Sequence, residues 1–411
     1  MKSLCFFTAG VLPVPPVNGG AVENLVKLVL DENEKKQDAH FYVTSIFDEK
    51  AVLESKKYNF CSFNFVKIPK VVTVVDKIIY FVARLFLRDK ALSFRMIFAR
   101  LWYINQSKKY FLQNDFDLII AENHVSLFLV MKDKRMKKKY ENKFIYHSHN
   151  EAQSGTFGCK KQIENCPLIL TVSNFISNSW KNMFPNGKAE YKCVMNGIDT
   201  ELFSQELSEQ DRNELLKKLE IQKDDFVIIF AGRLVEGKGI LHLARVFARL
   251  PFKNKKLLIV GSAFFDSSAK SPIQEKLEEI LKDCKDCVRF TGYVPYSDMW
   301  KYYKISAIAG FVPIWNEPGA LTNIEAQASS LTVVTTVSGG IPEYSNPESR
   351  ILLPIDEHLE DSVYEKIIEL YENPALCSEL GRKNGEFAKQ FSIENFYKSF
   401  MKTIEENKSV E

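Results

Sequence analysis

The chain has 411 residues, 45% of them hydrophobic and 26% charged. That length exceeds one ordinary core, so two domains are expected, and the composition excludes a low-complexity or disordered chain. The formal charge of +3 conceals opposite halves: residues 1–200 carry 29 Lys and Arg against 19 Asp and Glu, and residues 201–411 carry 26 against 33. A basic half and an acidic half suggest different partners.

The opening "MKSLCFFTAGVLPVPP" has one Lys, a short apolar run and no A-x-A site, so it reads as a first buried strand rather than a secretory signal. "GGAVENLVKLVLDENEKK" then reads as a helix, and "AHFYVTSIF", "DFDLIIAEN", "KFIYHSH" and "LILTVSNF" as strands, with Ser173 and Asn174 placed to start a helix. "KCVMNGID" closes this half. A second series runs through "DFVIIFAGRL", a helix from Gly239, "KLLIVGSA", a helix at Gln274–Leu281, "VRFTGYV", "AIAGFVPI", a helix near Leu321–Ser330 and "LTVVTTVSGG". Strand–helix alternation of this kind indicates parallel sheets covered by helices, so two doubly wound α/β domains are expected, residues 1–200 and 201–389. The stretch 390–411 is expected to pack back on the first domain. Ligands of such sheets sit beyond the carboxyl ends of the strands, which makes the cleft between the domains the natural site.

Three features fall at strand ends. In "PPVNGGAVENL", Gly19 and Gly20 open a helix, and bare amides at a helix start accept an anion, although a plain turn explains the same residues. The stretch lacks G-x-G-x-x-G. In "AGRLVEGKGI", Arg233 and Lys238 flank a glycine-containing loop, a planar fork and a point charge suited to a diphosphate, or else two solvated cations. In "WNEPGALTNIEAQAS", Glu317 and Glu325 lie eight residues apart. Eight helical residues advance about 12 Å, whereas a carboxylate pair that cleaves a glycosidic bond sits about 5–9.5 Å apart. The spacing better suits a ligand with two polyol ends and a charged middle. Glu325 can accept both hydroxyls of a ribose and Glu317 those of a sugar, while amides near Ala320, Leu321 and Thr322 face the phosphates.

Taken in order, "PPVNGGA", "AGRLVEGKGI", "NEPGALTNIEAQA" and "VVTTVSGGIPE" resemble glycosyltransferase family 4, along nearly the whole chain, with "VSNFI", "NGIDTELF" and "FAKQFSIENF" in support. The resemblance implies the GT-B fold, two Rossmann-like domains facing across a cleft, and retaining, metal-independent sugar transfer with no cofactor. It implies that Glu317 holds the donor sugar, Glu325 the nucleotide ribose, and Arg233 and Lys238 the departing diphosphate. Gly19 and Gly20 would line donor phosphates or acceptor, Tyr293 and Val294 would border the base, and Gly319 would lie at the sugar pocket. The family places a His after an N-domain strand near the reacting carbon; "FIYHSHNEA" offers His147 and His149, and His149, followed by Asn150, aligns better. His124 in "AENHVS" also ends a strand and is a second candidate for acceptor contact. Where the family has Phe-Gly, this chain has Gly319-Ala320, and Ser330 and Thr332 replace a family Gly and Pro. The first departure touches the sugar pocket and leaves the donor open; UDP is expected because the family uses it most.

Rival readings remain. "D-F-D" at Asp115–Asp117 resembles a manganese-binding motif but leads into an apolar strand. A sugar-nucleotide epimerase would show product without acceptor, and a catalytically silent subunit partnering another glycosyltransferase would bind donor without turnover. "CKDC" at Cys284–Cys287 lacks the second pair that a structural zinc needs, and eight scattered cysteines fit the cytosol. No stretch of about 18 uncharged apolar residues argues for a spanning helix. Residues 71–110 interleave aromatics with eight Lys and Arg against two acids, and "KDKRMKKKY" adds six cations. Either the apolar residues there are core and the cations solvated, or the surface lies on anionic lipid. The expected localisation is cytoplasmic and peripheral on the membrane face, the expected partners are a nucleotide-sugar donor and a glycan or lipid-linked acceptor, and nucleic acid is not expected.

Overall fold

The structure, a computed structural model, describes residues 1–87, 95–261 and 272–406. It divides into two compact units: Met1–Met195 with Phe396–Glu411, and Asn196–Asn395.

The first unit is built on seven parallel strands: β1 (Lys2–Phe7), β2 (Ala39–Ile46), β3 (Cys61–Val66), β4 (Leu118–Glu122), β5 (Phe144–Ser148), β6 (Leu168–Thr171) and β7 (Glu190–Cys193). Their order is β3-β2-β1-β4-β5-β6-β7. The order reverses between β1 and β4, which pair through Leu4↔Leu118 and Phe7↔Ala121. "LIIAE" and "FIYHS" are buried at every position, as strands covered on both faces must be. One face packs Phe7, Phe111, Phe128, Tyr146 and Trp180 together. Trp180 satisfies its single donor inside that core by giving its indole N–H to Ser148 Oγ at 2.9 Å. The helix Ile393–Glu405 belongs to this unit from Phe396 onward and buries Phe396, Tyr397, Phe400 and Ile404. Phe400 stacks on Phe6 at 5.7 Å, and the Tyr397 hydroxyl donates to Asn33 Oδ1 at 2.9 Å.

The second unit repeats the plan with β8 (Phe226–Ala231), β9 (Lys255–Val260), β10 (Val288–Gly292), β11 (Ile308–Phe311), β12 (Thr332–Thr336) and β13 (Ile351–Leu353), ordered β10-β9-β8-β11-β12-β13 and parallel throughout. Its order reverses between β8 and β11, where a doubly wound sheet opens a crevice for ligand. This unit starts at Asn196 rather than after residue 200. The reason is local: buried Asn196 takes the Tyr344 hydroxyl on its N–H at 2.8 Å and donates its amide to the Gly319 carbonyl at 3.3 Å.

Candidate active site

In the second unit the site is assembled by three loops that leave the carboxyl ends of β8, β11 and β12. After β8 the chain passes through Gly232 and Arg233 into the short turn Glu236–Lys238. Gly239 has φ 71°, and a Cβ there would lie 1.7 Å from the Val312 carbonyl oxygen. Only glycine allows this loop to lie against the loop after β11. Gly237 makes the same approach: a Cβ would meet the Trp315 ring at 2.5 Å, and its carbonyl accepts the Ile314 N–H at 2.9 Å.

This packing delivers Lys238 to Glu317. The ammonium reaches both carboxylate oxygens at 2.8 Å and lies 5.5 Å from the Trp315 ring centroid. The Trp315 indole also donates to Glu317 Oε2 at 2.8 Å. The loop after β12 fixes the backbone of the same residue. Gly340 N–H reaches the Glu317 carbonyl at 2.7 Å, and Glu317 N–H reaches Ser338 Oγ at 3.2 Å. Gly339 has φ 54°, with the Glu317 backbone where a Cβ would go. The "VSGG" stretch is thus a clamp on Glu317.

The helix Leu321–Ala328 begins directly beside this pair and has no side-chain cap. Uncapped amides and the positive end of a helix favour an anion there. A small pocket joins Lys238, Glu317, Ala320 and Thr322 with Phe230 and Phe311 at the β8–β11 reversal. Arg233 lies on the same loop as Lys238, exposed, with no ion pair to a described residue.

Glu325 sits deeper. It is 7% exposed, and its Oε2 accepts the Tyr303 hydroxyl at 2.9 Å. Burial pushes its carboxyl up to about 7, although the Tyr303 bond and the Lys238 charge pull the other way. Oε1 makes no hydrogen bond with a described residue. Tyr293 is exposed and Val294 half-buried, just past Gly292, whose carbonyl accepts the Gly261 N–H at 2.9 Å. Gly232, Gly261 and Gly292 therefore bring the ends of β8, β9 and β10 together, a convergence the sequence did not disclose. The pocket gathers Lys238, Glu317, Ala320 and Thr322, but Glu325, Arg233, Tyr293 and Val294 do not line it.

In the first unit, Gly19 and Gly20 have φ 75° and 113°, and Gly20 opens the helix Ala21–Lys36 without a side-chain cap. A Cβ at Gly20 would collide with Glu23 Oε2 at 2.2 Å. Glu23 is buried, and burial pushes its carboxyl up to about 7, with Glu122 adding to the effect.

His147 lies in β5 and His149 just past its end, and both turn to Glu122 at the end of β4. His147 Nδ1 lies 3.2 Å from Glu122 Oε1, and His149 Nε2 lies 3.0 Å from Oε2. These three are the only His, Cys, Asp or Glu group among the described residues whose ligand atoms come close enough for a cation, within 4.8 Å. Each carboxylate oxygen is instead engaged by one ring. Burial opposes the charged carboxylate, but the two histidines hold Glu122 down at about 2. Burial and His147 lower His149 to about 4 against the pull of Glu122, so it is neutral at neutral pH. With Nε2 donating to Glu122, Nδ1 of His149 is left as an acceptor, and it makes no hydrogen bond with a described residue. Sequence reasoning missed Glu122; a carboxylate closing the otherwise apolar strand "LIIAE" was the available signal.

Two other sequence expectations resolve differently. His124 is committed elsewhere: Nδ1 meets Ser126 Oγ at 2.7 Å and caps the turn Val125–Lys132, while Nε2 meets Arg100. Asp115 and Asp117 lie at the start of β4, the end opposite the ligand crevice. Asp117 accepts the Ser3 N–H at 2.8 Å and Asp115 pairs with Lys139 at 2.8 Å, so "D-F-D" is spent on structure. All eight cysteines are free.

Comparison with known proteins places the chain among similar sequences and folds. Residues 211–390 match the family glycosyl transferases group 1. Over 270 residues the chain is 29% identical to YtcC of Bacillus subtilis, named as a glycosyltransferase, covering 62% of this chain and 64% of that protein. It is 25% identical over 231 residues to the lipopolysaccharide 1,2-N-acetylglucosaminetransferase of Salmonella typhimurium, covering 55% of this chain and 56% of that protein. The chain thus spans less than two thirds of the length of these relatives. Among solved structures, Anabaena HepE in complex with UDP-glucose superposes with a TM-score of 0.72 at 16% identity, covering 98% of this chain and 99% of that one. At that identity the likeness is one of fold. Residues 211–390 thus match the group 1 glycosyltransferase family, and the whole chain has the GT-B fold.

Proposed function

We propose that this chain transfers a sugar from a UDP-sugar, a hexose or N-acetylhexosamine, to a hydroxyl of a glycan or lipid-linked glycan in cell-surface polysaccharide synthesis, with retention, as a member of family 4. The observation that carries this reading is the Lys238–Glu317 pair at the β8–β11 reversal, beside an uncapped helix start and Arg233, which pairs with no described residue. Lys238 and the helix-start amides would face the charge that a departing diphosphate gains, with Arg233 on the same loop. Preorganised donors aimed at developing charge are the largest single source of rate enhancement in many enzymes.

In the proposed step the bond from the anomeric carbon to the diphosphate oxygen breaks, and a bond from the acceptor oxygen forms on the same face. The acceptor proton passes to the leaving phosphate oxygen, so the products are a nucleoside diphosphate and the glycoside. Glu317 keeps lone pairs for sugar hydroxyls even while it holds Lys238, since each carboxylate oxygen accepts more than one hydrogen bond. Glu325 Oε1 is the oxygen offered to a ribose. Neutral His149, held by Glu122, offers Nδ1 as an acceptor. In this reading Arg233, Lys238 and the amides do the work that a metal ion does in metal-dependent transferases, so the reaction is metal-independent. The curated Salmonella relative acts on lipopolysaccharide and HepE holds UDP-glucose, which supports the class of donor and acceptor.

The test is a hydrolysis screen over UDP-, GDP- and dTDP-sugars, with and without EDTA. Turnover of a UDP-sugar with unchanged rate in EDTA is expected. Loss of all turnover in EDTA, restored by manganese, overturns the metal-free step, and hydrolysis of no donor overturns the activity.

A further inference from the structure

The helix Lys70–Leu87, eighteen residues and about 27 Å long, turns its most apolar arc away from the protein. Val71, Val74, Ile78, Phe81 and Leu85 recur at helical spacing and are 53–74% exposed. Such a stripe normally faces a core. Here the inward face is instead narrow, marked by Ala83 and Asp76. Asp76 is the helix's only acid, and its carboxylate accepts the N–H groups of Phe98 at 2.9 Å and Ala99 at 2.8 Å. It thereby supplies the missing cap of the next helix, Ile97–Gln113, whose own cap position offers no side-chain bond. That joint places Phe98, Leu101 and Trp102, all exposed, beside the apolar stripe.

Charge is sorted on the same surface. Lys70, Lys77 and Arg84 fall seven residues apart, so they line one edge of the stripe, and all three are exposed. With Asp76 turned inward, the exposed face of the helix carries cations and no acid. No helix among the described residues is long and apolar enough to cross a membrane. An exposed apolar arc edged by cations, with Phe and Trp side chains on it, is the pattern of a helix lying in a lipid–water interface. Within 71–110, Ala99, Tyr103 and Ile104 are core, whereas the apolar stripe of Lys70–Leu87 is exposed.

We infer that the face formed by Lys70–Leu87 and the first turn of Ile97–Gln113 docks on an anionic lipid bilayer, apolar stripe inward, with Lys70, Lys77 and Arg84 at the phosphates. This deepens the proposed transfer to a lipid-linked acceptor and rests on that reading for its purpose alone. Vesicle binding is read without donor, so a chain that binds vesicles and transfers no sugar would fail the activity reading only.

The experiment is flotation of the full chain with phosphatidylglycerol-containing and purely phosphatidylcholine vesicles at low salt. The wild type is expected to float with the anionic vesicles. Phe81→Ser with Leu85→Ser should weaken binding at least tenfold, and Lys77→Gln with Arg84→Gln should weaken it on anionic vesicles only. Because the double serine variant could misfold, a second measurement uses brominated lipid. It should quench wild-type tryptophan emission, and the quenching should fall in Trp102→Phe. No flotation of the wild type, or equal flotation of all variants, overturns the proposal. So does a wild-type dimer that the serine variant splits in the absence of vesicle binding, which would assign the face to a second copy.

Discussion

Lys238 and Glu317 come from loops after different strands, yet the ammonium contacts both carboxylate oxygens at 2.8 Å. Removing the lysine does two things at once: it withdraws a cation from the leaving group and leaves a half-buried carboxylate unpaired. Lys238→Ala should lower kcat about 100-fold, as loss of one preorganised donor does. It should also destabilise the second unit by roughly 1–3 kcal/mol, the cost of an orphaned partner. Steady-state kinetics and denaturant melts check the two separately. A Glu317→Gln/Lys238→Ala double variant should lose less than the sum, since the two residues act as a unit. Simple additivity would refute the coupling.

Gly239 decides whether the pair can form. Its φ of 71° and the Val312 carbonyl at 1.7 Å from a Cβ leave no room for alanine. Gly232 also has positive φ, 141°, but nothing lies within 4 Å of a Cβ there. Gly239→Ala should therefore cost several kcal/mol and carry Lys238 off Glu317, with donor affinity falling alongside. Gly232→Ala should cost only the backbone strain, about 1–3 kcal/mol. Equal melting midpoints for the two variants would contradict the steric argument.

What the sequence disclosed, and what it hid, follows from the same physics. Buried parallel strands such as "LIIAE" and "FVIIFA" announce themselves as continuous apolar runs, and eleven of the thirteen strands lay in stretches read as strands or as the close of the first half. The two overlooked, β3 and β13, are at sheet edges. β3 alternates in "CSFNFV" and β13 has three residues, so neither carries a long apolar signal. At the candidate site, Arg233, Lys238, Glu317 and Glu325 were singled out by motif and spacing. Their pairing was not, because Lys238 meets Glu317 across 79 residues of chain, through two glycine approaches that spacing alone does not encode. Glu122, Tyr303 and Ser338 were missed for the same reason: each matters only through what it touches.

Glu325 ties stability to pH. Its carboxyl titrates near 7 in the folded chain and about 4.3 in an unfolded one. The raised value means that the folded state favours the protonated form. Its favourable contribution is complete below about pH 4.3 and is lost as pH rises to 7, a span worth about 4 kcal/mol. Glu325→Gln mimics the neutral acid. It should match the wild type in stability at pH 4 and exceed it at pH 8 by up to that amount, while binding donor more weakly. Tyr303→Phe should push the carboxyl still higher, because the Tyr303 hydroxyl favours the charged form. Denaturant midpoints at the two pH values, with donor titration at pH 8, test both. A stability gap between Glu325→Gln and wild type that does not change with pH would refute the assignment.

Glu122 and His149 in the first unit have the opposite pH response. Glu122 is held near 2 and His149 near 4, both below their unfolded values. Between about pH 6.5 and 4 the unfolded chain binds the His149 proton and the folded one does not. Below about 4.3 the same holds for Glu122, so stability falls with acid across both windows. His149 should show no ring titration above pH 5 by NMR, and the pH–rate profile should carry no inflection from it near neutrality. Glu122→Ala removes the acceptor that selects Nε2–H on His149. It should lower kcat about 10-fold while leaving KM for the donor near the wild-type value, since Lys238, Glu317 and Glu325 lie in the second unit. It should also flatten the acid destabilisation below pH 4. Glu122→Gln keeps one acceptor oxygen for one ring, so its kcat should fall between wild type and Glu122→Ala. A Gln variant no better than Ala, together with unchanged acid sensitivity, would mean that Glu122 fills space and does not orient His149.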